Sequence, residues 1–179
     1  YSKSKAGRES ARSNVESGQL IKADALYPGG TLGVDITGQN MVVGVWEPGV
    51  PRATHELLTG KVTIEANQSG DASVAAQNHA THVTGTIVGK SGLIGNGASA
   101  RGLAYSAASR NWDSANDTTE MATAAAASML VSNHSYGYAN DNTTPQWKFG
   151  AYDSEALAWD TITKNAPNYL PFVAAGNEQ

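Results

Sequence analysis

From Met41 to Trp46 every residue is apolar or glycine, and three of the six are valines. A continuous run of that length, rich in β-branched side chains, predicts a strand buried on both faces, as in a parallel sheet. Further strands are expected over 61–65, 104–110, 129–131 and 171–174. The last places Pro171 at its first residue, where a missing N–H is tolerated. Between these runs the apolar residues recur at helical spacing. Over 79–89 they are Ala80, Val83, Ile87 and Val88; over 153–164 they are Leu157, Ala158 and Ile162, ahead of Pro167. The Ala-rich stretch 118–128 follows Asp117, a residue suited to capping a helix. A further helix is predicted over 10–27, ending at the Pro28-Gly29-Gly30 turn. Strands that alternate with helices imply βαβ crossovers. The expected fold class is therefore α/β: a doubly wound, mainly parallel sheet with helices on both faces.

Composition narrows the picture. A length of 179 residues suits one domain of ordinary size. Only 16% of residues are charged and 40% are hydrophobic, a balance that excludes intrinsic disorder. The net charge of −4 and the scattered lysines and arginines argue against a nucleic-acid partner. No stretch approaches the roughly 18 consecutive apolar residues of a membrane-spanning helix. There is no cysteine, which excludes disulfides, zinc thiolates and cysteine nucleophiles. Residues 1–30 read as an N-terminal arm and helix leading into the domain, and 31–179 as the domain itself.

In open parallel sheets, ligands bind beyond the carboxyl ends of the strands. Four segments are informative for that reason. Glu47 follows the 41–46 run, Asn133-His134-Ser135-Tyr136-Gly137 follows 129–131, and Ala175-Gly176-Asn177 follows 171–174. The fourth, Asn78 to Thr86, opens a helix. A carboxylate, a helix-start histidine and a loop asparagine can thus converge on one cleft. Other readings of these residue types stand beside this one. His79 and His82 are spaced to share a helix face and a metal ion, but no H-E-x-x-H pattern is present. Asp113, Asp117 and Asp141 lie in polar loops of the kind that hold Ca²⁺, yet show no calcium-loop spacing and read as solvated acids. Trp112, Trp147 and Trp159 read as packing residues, His55 as structural or surface, and His134 as a hydrogen-bonding residue beneath the strand. No Gly-x-Gly-x-x-Gly follows a strand, which speaks against dinucleotide binding.

The segment His79-Ala80-Thr81-His82-Val83-Thr84-Gly85-Thr86 resembles the histidine motif H-G-T-H-V-A-G-T of the subtilisin-like serine peptidases (subtilases), with Ala80 and Thr84 at two varied positions. Asp35 to Val50 resembles the family's aspartate segment and Ser132 to Gly137 its substrate-binding strand. Ala174 to Asn177 resembles the segment holding its oxyanion asparagine. The four occur in family order. The resemblance implies a serine endopeptidase that hydrolyses peptide bonds through an acyl-enzyme. His79 would be the general base, Glu47 would stand where the family has its triad aspartate and accept the His79 Nδ1–H bond, and Asn177 would donate to the oxyanion. Ser135, Tyr136, Gly137, Ala175 and Gly176 would bind substrate, with Tyr136 and the 174–176 main chain walling the pocket. Gly85 would permit close helix–sheet packing. An extended polypeptide is the implied partner, no cofactor is assigned although the resemblance admits calcium, and the implied location is secreted, cell-surface or periplasmic in a bacterium. Two departures matter. Glu47 is one methylene longer than aspartate. The family's nucleophile segment, G-T-S-x-x-x-P, is absent, so 31–179 reads as an incomplete, truncated peptidase domain, inactive alone. The rival class is a non-catalytic pseudo-protease that keeps the cleft and binds extended peptides.

Overall fold

The computed structural model describes residues 14–95, 99–138 and 144–177. Its strands are β1 (Val42–Glu47), β2 (Val62–Ile64), β3 (Ala108–Asp113), β4 (Val131–His134) and β5 (Leu170–Val173), and its helices are α1 (Asn14–Leu20), α2 (Val74–Val88), α3 (Asp117–Ala126) and α4 (Ser154–Asn165). The strands form one parallel sheet in the order β2-β3-β1-β4-β5. The apolar run of β1 is its centre, as its burial on both faces requires.

Side chains alternate across a strand, and β1 uses the alternation to build two cores. Val43 packs against the cluster of Leu57, Leu58, Ala107 and Val88 of α2. Trp46 enters the other cluster, with Trp112 of β3, Met121 of α3 and Ile162 of α4. Helices therefore cover both faces, which makes the sheet doubly wound as expected. Trp46 and Trp112 stack with ring centroids 4.0 Å apart. Gly44 makes room for this: a Cβ there would stand 2.5 Å from the Met129 sulfur and 2.6 Å from the Trp46 ring.

Several boundaries differ from the sequence expectation, for one physical reason. β3 runs over 108–113 rather than 104–110, and β4 over 131–134 rather than 129–131. Both strands continue through buried polar residues that an apolar-run criterion reads as loop: Ser109, Asn111, Asp113, Ser132 and His134. Each is satisfied internally. Ser109 Oγ donates to Asn111 Oδ1 (2.7 Å), and Asn111 Nδ2 donates to Thr84 Oγ1 (2.9 Å).

Helix starts differ too. α2 begins five residues before His79, capped by Ser73 Oγ, which accepts the Ala76 N–H at 3.1 Å. Asp117 is the first residue of α3 rather than its cap. The helix expected over 10–27 is interrupted: α1 ends at Leu20, Lys22 takes a left-handed conformation (φ 65°), and Ala23–Leu26 form a 3₁₀ turn. Residues 10–13 of that expectation lie outside the described residues. On α4, Ile162 is buried but Leu157 is 55% exposed, because the helix docks through the face carrying Trp159 and Ile162, three residues apart. β5 starts one residue before Pro171. Leu170 and Ala174 donate their N–H groups to Leu130 and His134 of the β4 segment, so the even-numbered residues face β4 and Pro171 turns its missing donor away from the ladder.

Beneath β4 runs a closed chain of hydrogen bonds. Tyr136 OH donates to Asp117 Oδ2 (2.7 Å) and therefore accepts from His134 Nδ1–H (3.0 Å). His134 Nε2 is then the acceptor for Ser132 Oγ (2.7 Å), whose oxygen lies 2.5 Å from the Tyr169 hydroxyl. His134 also stacks on Trp46, centroids 5.1 Å apart. This order needs a neutral imidazole, and burial pushes the His134 pKa down to about 4 from an ordinary 6.5. A depressed folded-state pKa means that the unfolded chain takes up the proton first as pH falls. About 3 kcal/mol of stability present above pH 6.5 should therefore be lost as pH falls to about 4. Burial raises the Glu47 pKa, which works in the opposite sense, favouring the fold at low pH. The difference in urea-unfolding free energy between the protein and His134→Leu, followed from pH 7 to pH 4, isolates the His134 part. A difference that does not vary with pH would refute it.

Candidate functional site

Glu47 ends β1, and its register decides its neighbours. Trp46 pairs with His134, so Glu47 and Ser135 leave the sheet side by side. The Glu47 side chain is 1% exposed, whereas that of His79, approaching from the second turn of α2, is 46% exposed. Glu47 Oε1 accepts from Asn133 Nδ2 at 3.1 Å and from the Ser135 N–H at 3.3 Å. Oε2 lies 2.9 Å from His79 Nε2, as an ion-pair contact without hydrogen-bond alignment. The same ring nitrogen lies 3.2 Å from the Ser135 carbonyl oxygen.

Both groups facing Nε2 are acceptors, so in the neutral ring Nε2 carries the hydrogen and Nδ1 the lone pair. This corrects the expected Nδ1–H bond to Glu47. The carboxylate lies against the far nitrogen instead. Burial pushes the Glu47 carboxyl above its ordinary pKa, and the nearby His79 and the hydrogen bonds from Ser135 pull partly the other way. A desolvated carboxylate beside an imidazole with a lone pair to spare can support general acid–base chemistry.

Ser135, Tyr136 and Gly137 follow directly on β4 without regular secondary structure. Tyr136 turns its ring into the core and its hydroxyl onto His134 and Asp117, so a pocket wall there falls to its main chain rather than its side chain. The Val173–His134 pairing of β5 and β4 brings Ala174 to Asn177 to the same end of the sheet. Ala175, Gly176 and Asn177 are exposed there, and Gly176 has φ 102°. Gly85 does not play the close-packing part expected of it: a Cβ at that position would meet nothing within 4 Å. The tight approach is at Gly102, where a Cβ would stand 2.4 Å from the Gly89 nitrogen and 2.8 Å from the Gly85 oxygen.

The remaining candidates are placed as follows. His82 is exposed on α2. His55 Nδ1 accepts from the Leu57 N–H (3.2 Å), a local turn contact. Trp112 and Trp159 pack as expected, but Trp147 is 70% exposed. Asp113 is buried and accepts from the Gly70 and Ala115 N–H groups. Together with the Asp117–Tyr136 bond, this replaces the reading of both as solvated acids. Asp141 lies outside the described residues. Among the described residues no group of three or more His, Asp or Glu is placed to hold a metal ion, and no helix is long and apolar enough to cross a membrane. The sequence singles out the segment that begins at Asn133 but gives that residue no role of its own. Its spacing of two from Ser135 puts both on one face of the strand, but nothing local shows that Glu47 waits there.

A model of the subtilase family matches residues 38–179. Solved structures with the same fold include MycP1 with its N-terminal propeptide removed (TM-score 0.60, 17% identity, 92% of this chain and 48% of that one). The MycP3 protease from the type VII (ESX-3) secretion system matches with TM-score 0.54 and 19% identity, over 90% of this chain and 46% of that one. MycP1 from Mycobacterium smegmatis matches with TM-score 0.56 and 16% identity, over 98% and 48%. The chain spans about half the length of these structures. No curated protein matches it.

Proposed function

Because the chain belongs to the subtilase family, we propose that it supplies the acid–base half of a serine endopeptidase site that hydrolyses peptide bonds in polypeptides through an acyl-enzyme. The observation that carries this reading is the buried Glu47 carboxylate 2.9 Å from His79 Nε2 at the carboxyl end of the central strand. His79 takes the nucleophile's proton on Nδ1 and returns it to the leaving amine, while Glu47 stabilises the imidazolium that forms between the two steps. The Ser135 to Gly137 main chain pairs with an extended substrate by strand addition. Asn177 donates to the oxyanion, and Ala175 and Gly176 line the adjoining pocket. The nucleophile on this reading is the serine of a Gly-Thr-Ser segment, and no such segment occurs in these 179 residues. An extracytoplasmic bacterial location fits this activity, and one of the proteases of similar fold is described as part of a secretion system.

A specific observation favours a second reading. The carboxylate faces Nε2, not the Nδ1 of the usual triad, as a pseudo-protease that only binds peptides could tolerate. A fluorophosphonate probe applied to the gene product as encoded, with the adduct mapped by mass spectrometry, separates the two. The expected result is one modified serine outside residues 1–179, with modification lost in His79→Ala. An adduct on Ser135 or another serine of this chain overturns the nucleophile assignment. Peptide binding with no adduct anywhere supports the non-catalytic reading.

A further inference from the structure

Glutamate has one more side-chain torsion than aspartate, so a glutamate in this place needs something to hold its carboxylate. Ser135 N–H supplies one restraint on Oε1, at 3.3 Å. The second comes from Asn133, which pairs with Val45 in the β1–β4 ladder. Alternation puts Asn133 and Ser135 on the face opposite Ser132 and His134, and so on the same side as Glu47. The Asn133 amide has two hydrogens, and the two contacts of Nδ2 account for both: Glu47 Oε1 at 3.1 Å and Ser135 Oγ at 2.8 Å. With Oε1 held twice, Oε2 is left facing His79.

We propose that Asn133 is a positioning residue for the Glu47–His79 pair: its amide, with the Ser135 N–H, clamps Oε1 so that Oε2 is presented to the ring. The proposal rests on the reading of Glu47 and His79 as the acid–base pair of the site. Asn133 makes no contact with the imidazole; it bonds Glu47 Oε1 and Ser135 Oγ, and its hold on the pair runs through Glu47. The extra methylene is the reason the clamp is needed, because a longer side chain without it could turn Oε2 away from His79. A donor on Oε1 also favours the ionised carboxyl against the burial that disfavours it.

The test is a carboxyl-carbon NMR titration of Glu47 in the protein, in Asn133→Ala and in Asn133→Asp. Removing the donor should raise the Glu47 midpoint by about one unit, and replacing it with an isosteric second carboxylate should raise it further. A role in packing alone predicts lowered melting temperatures with an unmoved midpoint. Midpoints in the variants equal to that of the protein overturn the proposal. Either variant alone carries the measurement if the other does not fold. The titration needs no turnover, so it stands or falls separately from peptide-bond hydrolysis, which the fluorophosphonate experiment decides.

Discussion

If the gene product is the proposed serine endopeptidase, His79→Ala should lower its kcat for peptide-bond cleavage about 10⁴-fold, with KM nearly unchanged. The expected size follows from what the imidazole does twice in each turnover. Without it the attacking hydroxyl keeps its proton, and the departing amine leaves unprotonated. About 10⁴ in rate corresponds to about 5.5 kcal/mol of transition-state stabilisation. The effect falls on kcat because the imidazole handles the protons of the reacting groups, while pairing with the extended peptide falls to the Ser135 to Gly137 main chain. Steady-state kinetics on one peptide substrate would measure it. A loss of less than tenfold would show that the proton passes elsewhere. A loss confined to KM would make His79 a binding residue, in line with the non-catalytic reading.

Trp46→Ala should cost about 3–5 kcal/mol of stability, the range for deleting a large aromatic side chain from a packed interior. Trp46 is fully buried, and its ring is sandwiched between Trp112 of β3 and His134 of β4. Its Nε1–H donates to Glu120 Oε2 at 3.1 Å, a contact tying the central strand to α3. Truncation leaves a cavity bordered by both rings and removes that donor. A loss this large is a substantial part of a domain's usual 5–15 kcal/mol. Urea-unfolding midpoints of the protein, Trp46→Phe and Trp46→Ala should fall in that order, with phenylalanine keeping part of the stacking. A cost below about 1 kcal/mol for alanine would mean that the two strands are not held through this ring. The same substitution bears on the site, because Trp46 immediately precedes Glu47 and sets where the strand delivers it.

Legibility from sequence varied with how local the cause was. β1 was readable because burial on both faces demands an unbroken apolar run. β3 and β4 were misplaced by two to four residues because their second halves are polar and buried, and their partners are distant in sequence: Asn111 needs Thr84, and His134 needs Trp46 for its stack. The start of α2 was missed because its first residues, Val74 to Asn78, carry no apolar stripe of their own, and the Ser73 cap stands too far from the histidine motif to be linked to it by pattern.

The residue types in the site, and their placement after strands and on a helix, are properties of short segments. The sequence alone determined them, together with the α/β alternation and the family resemblance that followed. Which ring nitrogen meets the carboxylate was decided only in the folded molecule, as was the hold of Asn133 on Glu47. Glu47 and Asn133 are 86 residues apart, and they meet because β1 and β4 pair in one register. A shift of a single residue would turn Asn133 to the opposite face. No local pattern encodes that register. It comes from burying Trp46 against Trp112 and His134 on one face while α2 covers the other.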